Sequence, residues 1–303
     1  MTSRPGAGRL YGVGVGPGDP ELMTLKAARL IGSADVVAYH QGVGKSSNAR
    51  RIAAAQFPDG VIEEVLQYPV TTGTTEHPGG YAGAMAEFYE ECAARLATHL
   101  EVGRTVVILA EGDPLFYGSY MYMHDRLADR FETEVVPGIP AFAAATATVA
   151  SPLVRLTDVL TILPGTLPEA ELARRLADTD GAIIMKLGRT FPAVVSALRQ
   201  AGRLDGALYV ERASMPQERW LPVADVEADS VPYFSLIVVP GDTKPALPER
   251  VLTESESPPS CWSSGSDPVP TGGSRPRSPR CSRTCSTWSA TGRTSTGSRS
   301  ARA

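Results

Sequence analysis

The stretch Leu10-Tyr-Gly-Val-Gly-Val-Gly-Pro-Gly-Asp-Pro-Glu-Leu-Met-Thr24 decides how the rest of the chain is read. Its first half, Leu10 to Val15, is apolar and continuous enough for a buried strand. Gly14, Gly16 and Gly18 then allow close backbone approach or a positive φ. Pro17 stiffens the loop, and Asp19 stands at an N-cap position with Pro20 at the first helical one. The spacing is not a dinucleotide fingerprint, because Pro17 interrupts it, nor a Walker loop, because no Gly-Lys-Ser/Thr closes it. Taken alone, it serves equally well as a tight strand-to-helix turn with no ligand.

Downstream, strand and helix patterns alternate. A helix is expected over Glu21–Ile31 with Leu22, Leu25, Ala28 and Ile31 on one face. Strands are expected at Asp35–Tyr39, Val61–Val65, Thr105–Ala110 and Glu134–Val136, and helices at Ser46–Gln56, Tyr81–Glu101 and Tyr117–Ala128. Met85, Phe88, Cys92, Leu96 and Leu100 recur at helical spacing and read as core. Strands buried on both faces and separated by helices imply a mostly parallel sheet. After Pro137-Gly138 comes a small-residue helix, Pro140–Ala150. Strands at Val159–Leu163, Ala182–Leu187, Ala207–Glu211 and Tyr233–Val239, with helices at Pro168–Ala177 and Phe191–Gln200, then predict a mixed sheet. The fold class is therefore α/β, with two α/β domains over residues 1–138 and 139–245 and a ligand cleft between them.

The 303 residues carry 33 acidic and 29 basic side chains, a net charge of -4, which argues against nucleic acid or an anionic membrane as partner. No apolar run approaches the roughly 20 residues that span a bilayer, and Met1 to Gly8 lacks a signal-peptide core. A cytoplasmic protein is expected. Cys92 stands alone; Cys261, Cys281 and Cys285 crowd the end with no histidine near them, so no metal site is expected. From about Leu252 the chain turns to Ser, Thr, Pro, Gly and Arg without apolar periodicity, and disorder is expected over residues 246–303.

Two further stretches can carry chemistry. In Ala110-Glu-Gly-Asp-Pro-Leu-Phe-Tyr-Gly-Ser-Tyr-Met-Tyr-Met123, Glu111 and Asp113 follow a buried strand, at the end where open α/β sheets bind ligands. Asp113-Pro114 equally fits a helix cap and first turn. In Val135-Val-Pro-Gly-Ile-Pro-Ala-Phe-Ala-Ala-Ala145, the alanines permit close approach of a flat ligand, or simply tight helix packing.

These three turns, in this order, resemble the tetrapyrrole methylases, which use S-adenosylmethionine. Tyr68-Pro-Val-Thr-Thr72, Leu163-Pro-Gly-Thr166, Met185-Lys-Leu-Gly-Arg189, Tyr209-Val-Glu-Arg-Ala213 and Pro232-Tyr-Phe-Ser-Leu236 are similar to the branch acting at C-20 of precorrin-2 in cobalamin synthesis. The resemblance spans roughly residues 9 to 241. It implies S-adenosylmethionine held between two α/β domains, in a homodimer, with contacts from Pro17, Gly112, Asp113, Phe116, Pro140 and Ala141 and from Met185 or Lys186. Relatives that methylate a pyrrole ring carbon have Asp where this chain has His40. The implied reaction moves a methyl group to an electron-rich meso carbon, so the enzyme chiefly aligns donor and acceptor. His40 and Glu111 are candidates to remove the displaced proton. Lys45, Arg50, Arg51, Lys186 and Arg189 could meet substrate carboxylates, although Arg50 and Arg51 also fit a solvated helix face. Cobalt-precorrin-2 as substrate, or a binding module without catalysis, are the alternatives.

The tail admits another reading. If Trp262-Ser-Ser-Gly-Ser-Asp-Pro-Val269 is back-translated and shifted by one frame, Val-Val-Gly-Leu-Gly-Pro-Gly results, with G or C at every wobble base. That string repeats the opening loop and resembles the start of the precorrin-3B C(17)-methyltransferases. A frameshift between about residues 242 and 260 of a two-enzyme fusion is the expectation.

Overall fold

A computed structural model describes residues 6–70 and 75–241. Thr71 and Thr72 of the Tyr68–Thr72 stretch, and the tail with its three cysteines and its shifted reading, lie outside the described residues.

Five strands, β1 (Arg9–Gly14), β2 (Val36–Gln41), β3 (Ile62–Gln67), β4 (Val106–Ala110) and β5 (Glu132–Val136), form one parallel sheet in the order β3-β2-β4-β1-β5. Helices α1 (Leu25–Ile31) and α2 (Asn48–Ala53) follow β1 and β2, and bury Ala27, Leu30, Ile31, Ala49 and Ile52 against one sheet face. Helices α3 (Gly80–Glu101) and α4 (Tyr120–Leu127) follow β3 and β4 and cover the other face. The Met85, Phe88, Cys92, Leu96, Leu100 stripe is wholly buried there, as its spacing predicts. Each large side chain of that stripe contributes roughly 1.5–3 kcal/mol on burial.

This arrangement places β4 between two strands whose following helices lie on the opposite face. Open α/β sheets leave a crevice wherever neighbouring strands send their connections to opposite faces. β4 therefore has one crevice on its β1 side and another on its β2 side. The register aligns them: Val13 pairs with Leu109 and Val136, and Tyr39 with Leu109. The turns after β1, β4 and β5, and His40 on β2, thus leave the sheet at one level.

Helix α5 (Ala141–Thr148) leads to the second sheet, built from β6 (Leu160–Pro164), β7 (Gly181–Met185), β8 (Leu208–Glu211), β9 (Arg219–Pro222) and β10 (Ser235–Val239). Its order is β6-β7-β10-β8-β9, with β6 and β7 parallel and the other pairs antiparallel. Helices α6 (Glu169–Ala177) and α7 (Phe191–Gln200) cover one face, and α5 packs Ala144 and Ala145 on the other. The mixed second sheet is as expected.

Two local expectations are corrected. The helix expected from Glu21 begins at Leu25. Asp19 accepts a hydrogen bond from the Glu21 N–H at 2.8 Å, but this closes only a 3-10 turn over Pro20–Leu22. Thr24 caps the α-helix, accepting from the Ala27 N–H at 3.1 Å. The shifted start rotates the helix, so Ala27, Leu30 and Ile31 face inward while Leu25 is 92% exposed. Strand β9 was not expected. It is a short edge strand, exposed along most of its length, and so lacks the alternation that marks a half-buried strand.

Candidate active site

Three turns meet at the β1 side of β4. The Val15 N–H donates to the Ala110 carbonyl at 2.9 Å, and Gly16 and Gly112 exchange backbone hydrogen bonds of 3.4 and 2.8 Å. The turn after β5 closes the group from the other side. A Cβ on Gly138 would lie 2.0 Å from the Gly112 carbonyl oxygen, and one on Gly14 would lie 2.6 Å from the Gly138 nitrogen. Only glycine lets these backbones touch. Asp113 binds the turns together: its Oδ1 accepts from the Leu115 N–H at 2.9 Å and its Oδ2 from the Gly138 N–H at 3.0 Å. The reading of Asp113 as a turn former thus holds, and the same side chain ties two of the three turns together.

Gly112, at φ +64, has an open side. A Cβ there would meet nothing closer than Pro140 Cα at 3.6 Å, the Ile139 oxygen at 3.7 Å and the Ala141 nitrogen at 3.8 Å. Gly112, Pro140 and Ala141 therefore share one rim. Phe116 stands edge-on to Phe142 of α5, with ring centroids 5.7 Å apart. Pro17 lies between Gly16, paired to Gly112, and Gly18, which packs on Met215 and Ser214 of the second sheet's β8–β9 connection. The Asp19 N–H donates to Ser214 Oγ at 3.1 Å. Met185 ends β7, its carbonyl accepting from the Gly165 N–H at 2.6 Å. Lys186 reaches back to the first sheet's loops, its Nζ 4.7 Å from the centre of the Tyr117 ring. Of the eight residues expected to bind the cofactor, Pro17, Gly112, Asp113, Pro140 and Ala141 lie in or next to the three turns that meet here, Phe116 follows Asp113 in the same turn, and Met185 and Lys186 stand at the end of β7 in the second sheet.

Tyr117, Lys186, Arg212 and Ser214 are non-glycine residues with positive φ, at 53, 57, 50 and 64°. Such backbone strain, of order 1–3 kcal/mol at each position, persists where surroundings over-determine it and clusters at ligand sites.

The β2 side of β4 holds a second group. His40 lies flat on Tyr68, centroids 5.4 Å apart at 22°, with Phe88 and Tyr89 standing edge-on at 6.3 and 6.4 Å. Burial pulls its pKa down to about 4, so the imidazole is neutral. Its Nε2 is sealed from solvent and has no hydrogen-bond partner among the described residues. The Tyr68 hydroxyl is hydrogen-bonded to Ser119 Oγ, and burial raises its pKa, with the neighbouring Tyr89, Tyr233 and Glu111 adding to the rise.

Glu111 completes this side. Burial raises its pKa, although the Ala49 and Asn48 N–H groups, the Asn48 side chain and the nearby Arg51 favour its charged form. Tyr233, in the bend just before β10, keeps 83% of its surface open, yet desolvation, with Glu111 adding to it, raises the pKa of its phenol. Glu111, Tyr68 and Tyr233 thus border one recess on this side of β4, within electrostatic reach of one another.

The candidate cations divide. Arg50 is held by Glu63, with Nε and Nη2 donating at 2.6 and 2.8 Å, and Glu63 also accepts from the Tyr39 hydroxyl at 2.7 Å. That side chain braces β2 and β3. Arg51 instead points toward the second sheet, its Nη2 3.9 Å from Met215 Sδ. The side chains of Lys45 and Arg189 have no ion-pair or hydrogen-bond partner among the described residues. No group of three or more His, Cys, Asp or Glu among the described residues could hold a metal ion.

Patterning missed Tyr68, Ser119 and Tyr233 as parts of the recess. Tyr233 follows Pro232 in an apolar run and reads as strand, and nothing in that run marks it as open to a cleft.

Comparison with known proteins agrees with this geometry. Residues 9–227 match the model of the Tetrapyrrole (Corrin/Porphyrin) Methylases. The chain is 57% identical over 240 residues to the cobalamin biosynthesis protein CobIJ of Mycobacterium bovis, covering 79% of this chain but 47% of that protein. It thus spans about half the length of the mycobacterial relatives it matches. It is 50% identical over 236 residues to a precorrin-2 C(20)-methyltransferase of Sinorhizobium sp, covering 78% of this chain and 96% of that one. Among solved structures, a uroporphyrin-III C-methyl transferase from Thermus thermophilus complexed with S-adenyl homocysteine matches with a TM-score of 0.56 at 25% identity, covering 77% of this chain and 97% of that chain. The chain belongs to the tetrapyrrole methylase family.

Proposed function

We propose that this chain transfers a methyl group from S-adenosylmethionine to C-20 of precorrin-2, giving precorrin-3A on the route to cobalamin. The observation that carries this reading is the pair of crevices on either side of β4, one bare and glycine-lined, the other walled by aromatic and acidic side chains. The Sinorhizobium relative bears the name of this activity over almost its full length.

The glycine crevice fits the donor. Its rim at Gly112, Pro140 and Ala141 is open backbone, which a nucleoside can approach closely. Pro17, Asp113 and Phe116 would hold the donor from the first sheet's loops and Met185 and Lys186 from the second's. When bound, S-adenosylmethionine supplies a methyl group on a positively charged sulfur. The chain's work is then to align the acceptor carbon and exclude water. No strong base is needed for attack, because the reduced macrocycle is itself electron-rich. After the new bond forms, the same carbon gives up its hydrogen as a proton and the electron pair returns to the ring. Glu111 is suited to accept it: burial makes its carboxylate more basic than an exposed one, and it faces the recess. Arg51, Lys45, Lys186 and Arg189 are the cations suited to substrate carboxylates.

Incubation with S-adenosylmethionine and precorrin-2, followed by mass spectrometry, tests this. Gain of one methyl group is expected; binding without a mass change would make the chain a tetrapyrrole-binding module. The same assay with cobalt in the ring distinguishes cobalt-precorrin-2 as substrate. A homodimer, with light scattering as its test, and a cytoplasmic site of action belong to the same reading. No helix among the described residues is long and apolar enough to cross a membrane.

Residues 1–138 and 139–245 are the two domains of this reading. Residues 246–303 are an out-of-frame remnant of a second methylase. The 47% coverage of the mycobacterial relative supports a longer ancestral chain. Sequencing the coding DNA tests it, and absence of a downstream methylase frame refutes it.

A further inference from the structure

Glu111 and His40 both stand beside the acceptor crevice, but their surroundings differ in kind. Glu111 has a carboxylate fed by backbone N–H groups and facing the recess. Among the described residues, His40 has no carboxylate, hydroxyl or backbone group hydrogen-bonded to its side chain, and its Nε2 is closed off without a partner. A buried orphan of this sort is destabilising and calls for an explanation. A general base needs a nitrogen in reach of the proton it removes. What His40 does present is a flat ring, stacked on a second flat ring, Tyr68, whose hydroxyl is pinned by Ser119. Phe88 lies against both, 5.2 Å from Tyr68 and 6.3 Å from His40 between centroids, so the pair is fixed from behind by α3.

We propose that His40 and Tyr68 together form a rigid flat wall of the acceptor site, against which the planar macrocycle rests, and that His40 is a positioning residue and takes no proton. The inference rests on the methyl-transfer reading above and assigns residues within it. Two stacked rings held at 22° offer a planar conjugated substrate an aromatic face whose angle is set before binding. Such aromatic contacts add binding beyond the area they bury. Neutrality matters here as well. A charged imidazolium beside this crevice would oppose a positively charged methyl donor, and burial keeps His40 uncharged across the working pH range. The titratable groups packed against it are the phenols of Tyr68 and Tyr89.

The test compares His40→Phe with His40→Asn, and Tyr68→Phe with Tyr68→Leu. His40→Phe keeps the flat ring and removes the orphaned nitrogen. It is expected to lower kcat by less than tenfold, leave the shape of the pH–rate profile as in the parent, and raise Tm. His40→Asn and Tyr68→Leu, which lose a ring, are expected to raise KM for precorrin-2 by about tenfold, with kcat changing less. Binding is read separately, by the absorbance change when air-oxidised precorrin-2 is titrated into each variant saturated with S-adenosylhomocysteine. The ring-deleting variants should bind about tenfold more weakly, with unchanged affinity for S-adenosylhomocysteine. A kcat loss above a hundredfold in His40→Phe with both ligands still bound, or loss of the profile's acidic limb in that variant, overturns the proposal and makes His40 the base. Absence of methyl transfer by the unaltered chain would instead remove the functional reading, while the titration still tests the wall.

Discussion

Replacement of Gly138 by alanine is the sharpest probe of the donor crevice. The added methyl would lie 2.0 Å from the Gly112 carbonyl oxygen and 2.8 Å from Gly14 Cα, whereas ordinary contacts begin near 3.4 Å. Both neighbours are backbone, so no side chain can swing away, and the turns must part by roughly an ångström or more. That movement strains the Gly138 N–H bond to Asp113 and the Gly16–Gly112 pair. Overpacking of this kind costs about 1–3 kcal/mol and each of the three weakened hydrogen bonds about 1 kcal/mol, for a total of about 4–6 kcal/mol. At 2–4 °C per kcal/mol for a chain of this size, Tm should fall by about 10 °C. Affinity for S-adenosylhomocysteine, measured by titration calorimetry well below Tm, should fall more than tenfold. Gly202→Ala is the control: unlike Gly138 it has a positive φ, +67, but an added Cβ there has nothing within 4 Å, and it lies far along the chain after α7. It should lose about 1 kcal/mol and keep its affinity. A Gly138→Ala variant with unaltered Tm and affinity would refute the claim that these three backbones meet.

Three other outcomes are expected. Glu111→Gln should lower kcat by about 10²–10⁴-fold while leaving donor affinity intact. Because the folded-state pKa of Glu111 is raised, its contribution to stability is present below the unfolded value and is lost as pH rises through the folded value; Glu111→Gln should therefore melt no lower than the parent at neutral pH, and a lower Tm would contradict this. Glu211 is buried and accepts from the Tyr209 hydroxyl at 2.7 Å, Arg212 at 3.0 Å and Arg219 at 3.3 Å. Glu211→Ala strands that phenol and should lower the urea midpoint by an amount equivalent to about 1–3 kcal/mol, with donor affinity unchanged. Burial pushes the Cys92 thiol up to about 12, so native alkylation at pH 7 should leave the Cys92 peptide unmodified by mass spectrometry until urea is added.

What patterning reached was the chemistry of contact between backbones. Gly14, Gly112 and Gly138 are visible as glycines after apolar runs, and a parallel sheet brings the ends of its strands to one level. The helix start failed because Asp19-Pro20 and Thr24 are both competent caps four residues apart, and local propensity does not say which will be used. Glu211 stands in an apolar strand with Tyr209 on the same strand and Arg212 next to it, but its third partner, Arg219, lies on β9, a strand that patterning did not reach. The positive φ of Tyr117 and Lys186 carries no compositional mark, since neither is a residue that favours it. The recess at Tyr233 depends on how the second sheet meets the first, which no window of sequence contains.

The location of β4 between two strands with oppositely placed helices has a consequence for how such a protein can change. Glu111, Gly112 and Asp113 are consecutive, yet Glu111 serves one crevice while Gly112 and Asp113 serve the other. In the proposed function the donor would meet mainly backbone and one carboxylate whose oxygens are already engaged, which leaves less freedom for variation on that side. The acceptor, in the same reading, would meet side chains at His40, Tyr68, Glu111 and Tyr233, drawn from four separate segments that can be exchanged one at a time. A lineage built on this strand can therefore diversify the carbon it methylates while its methyl source stays fixed, and laboratory redesign of the acceptor can begin from those four positions without touching the glycines.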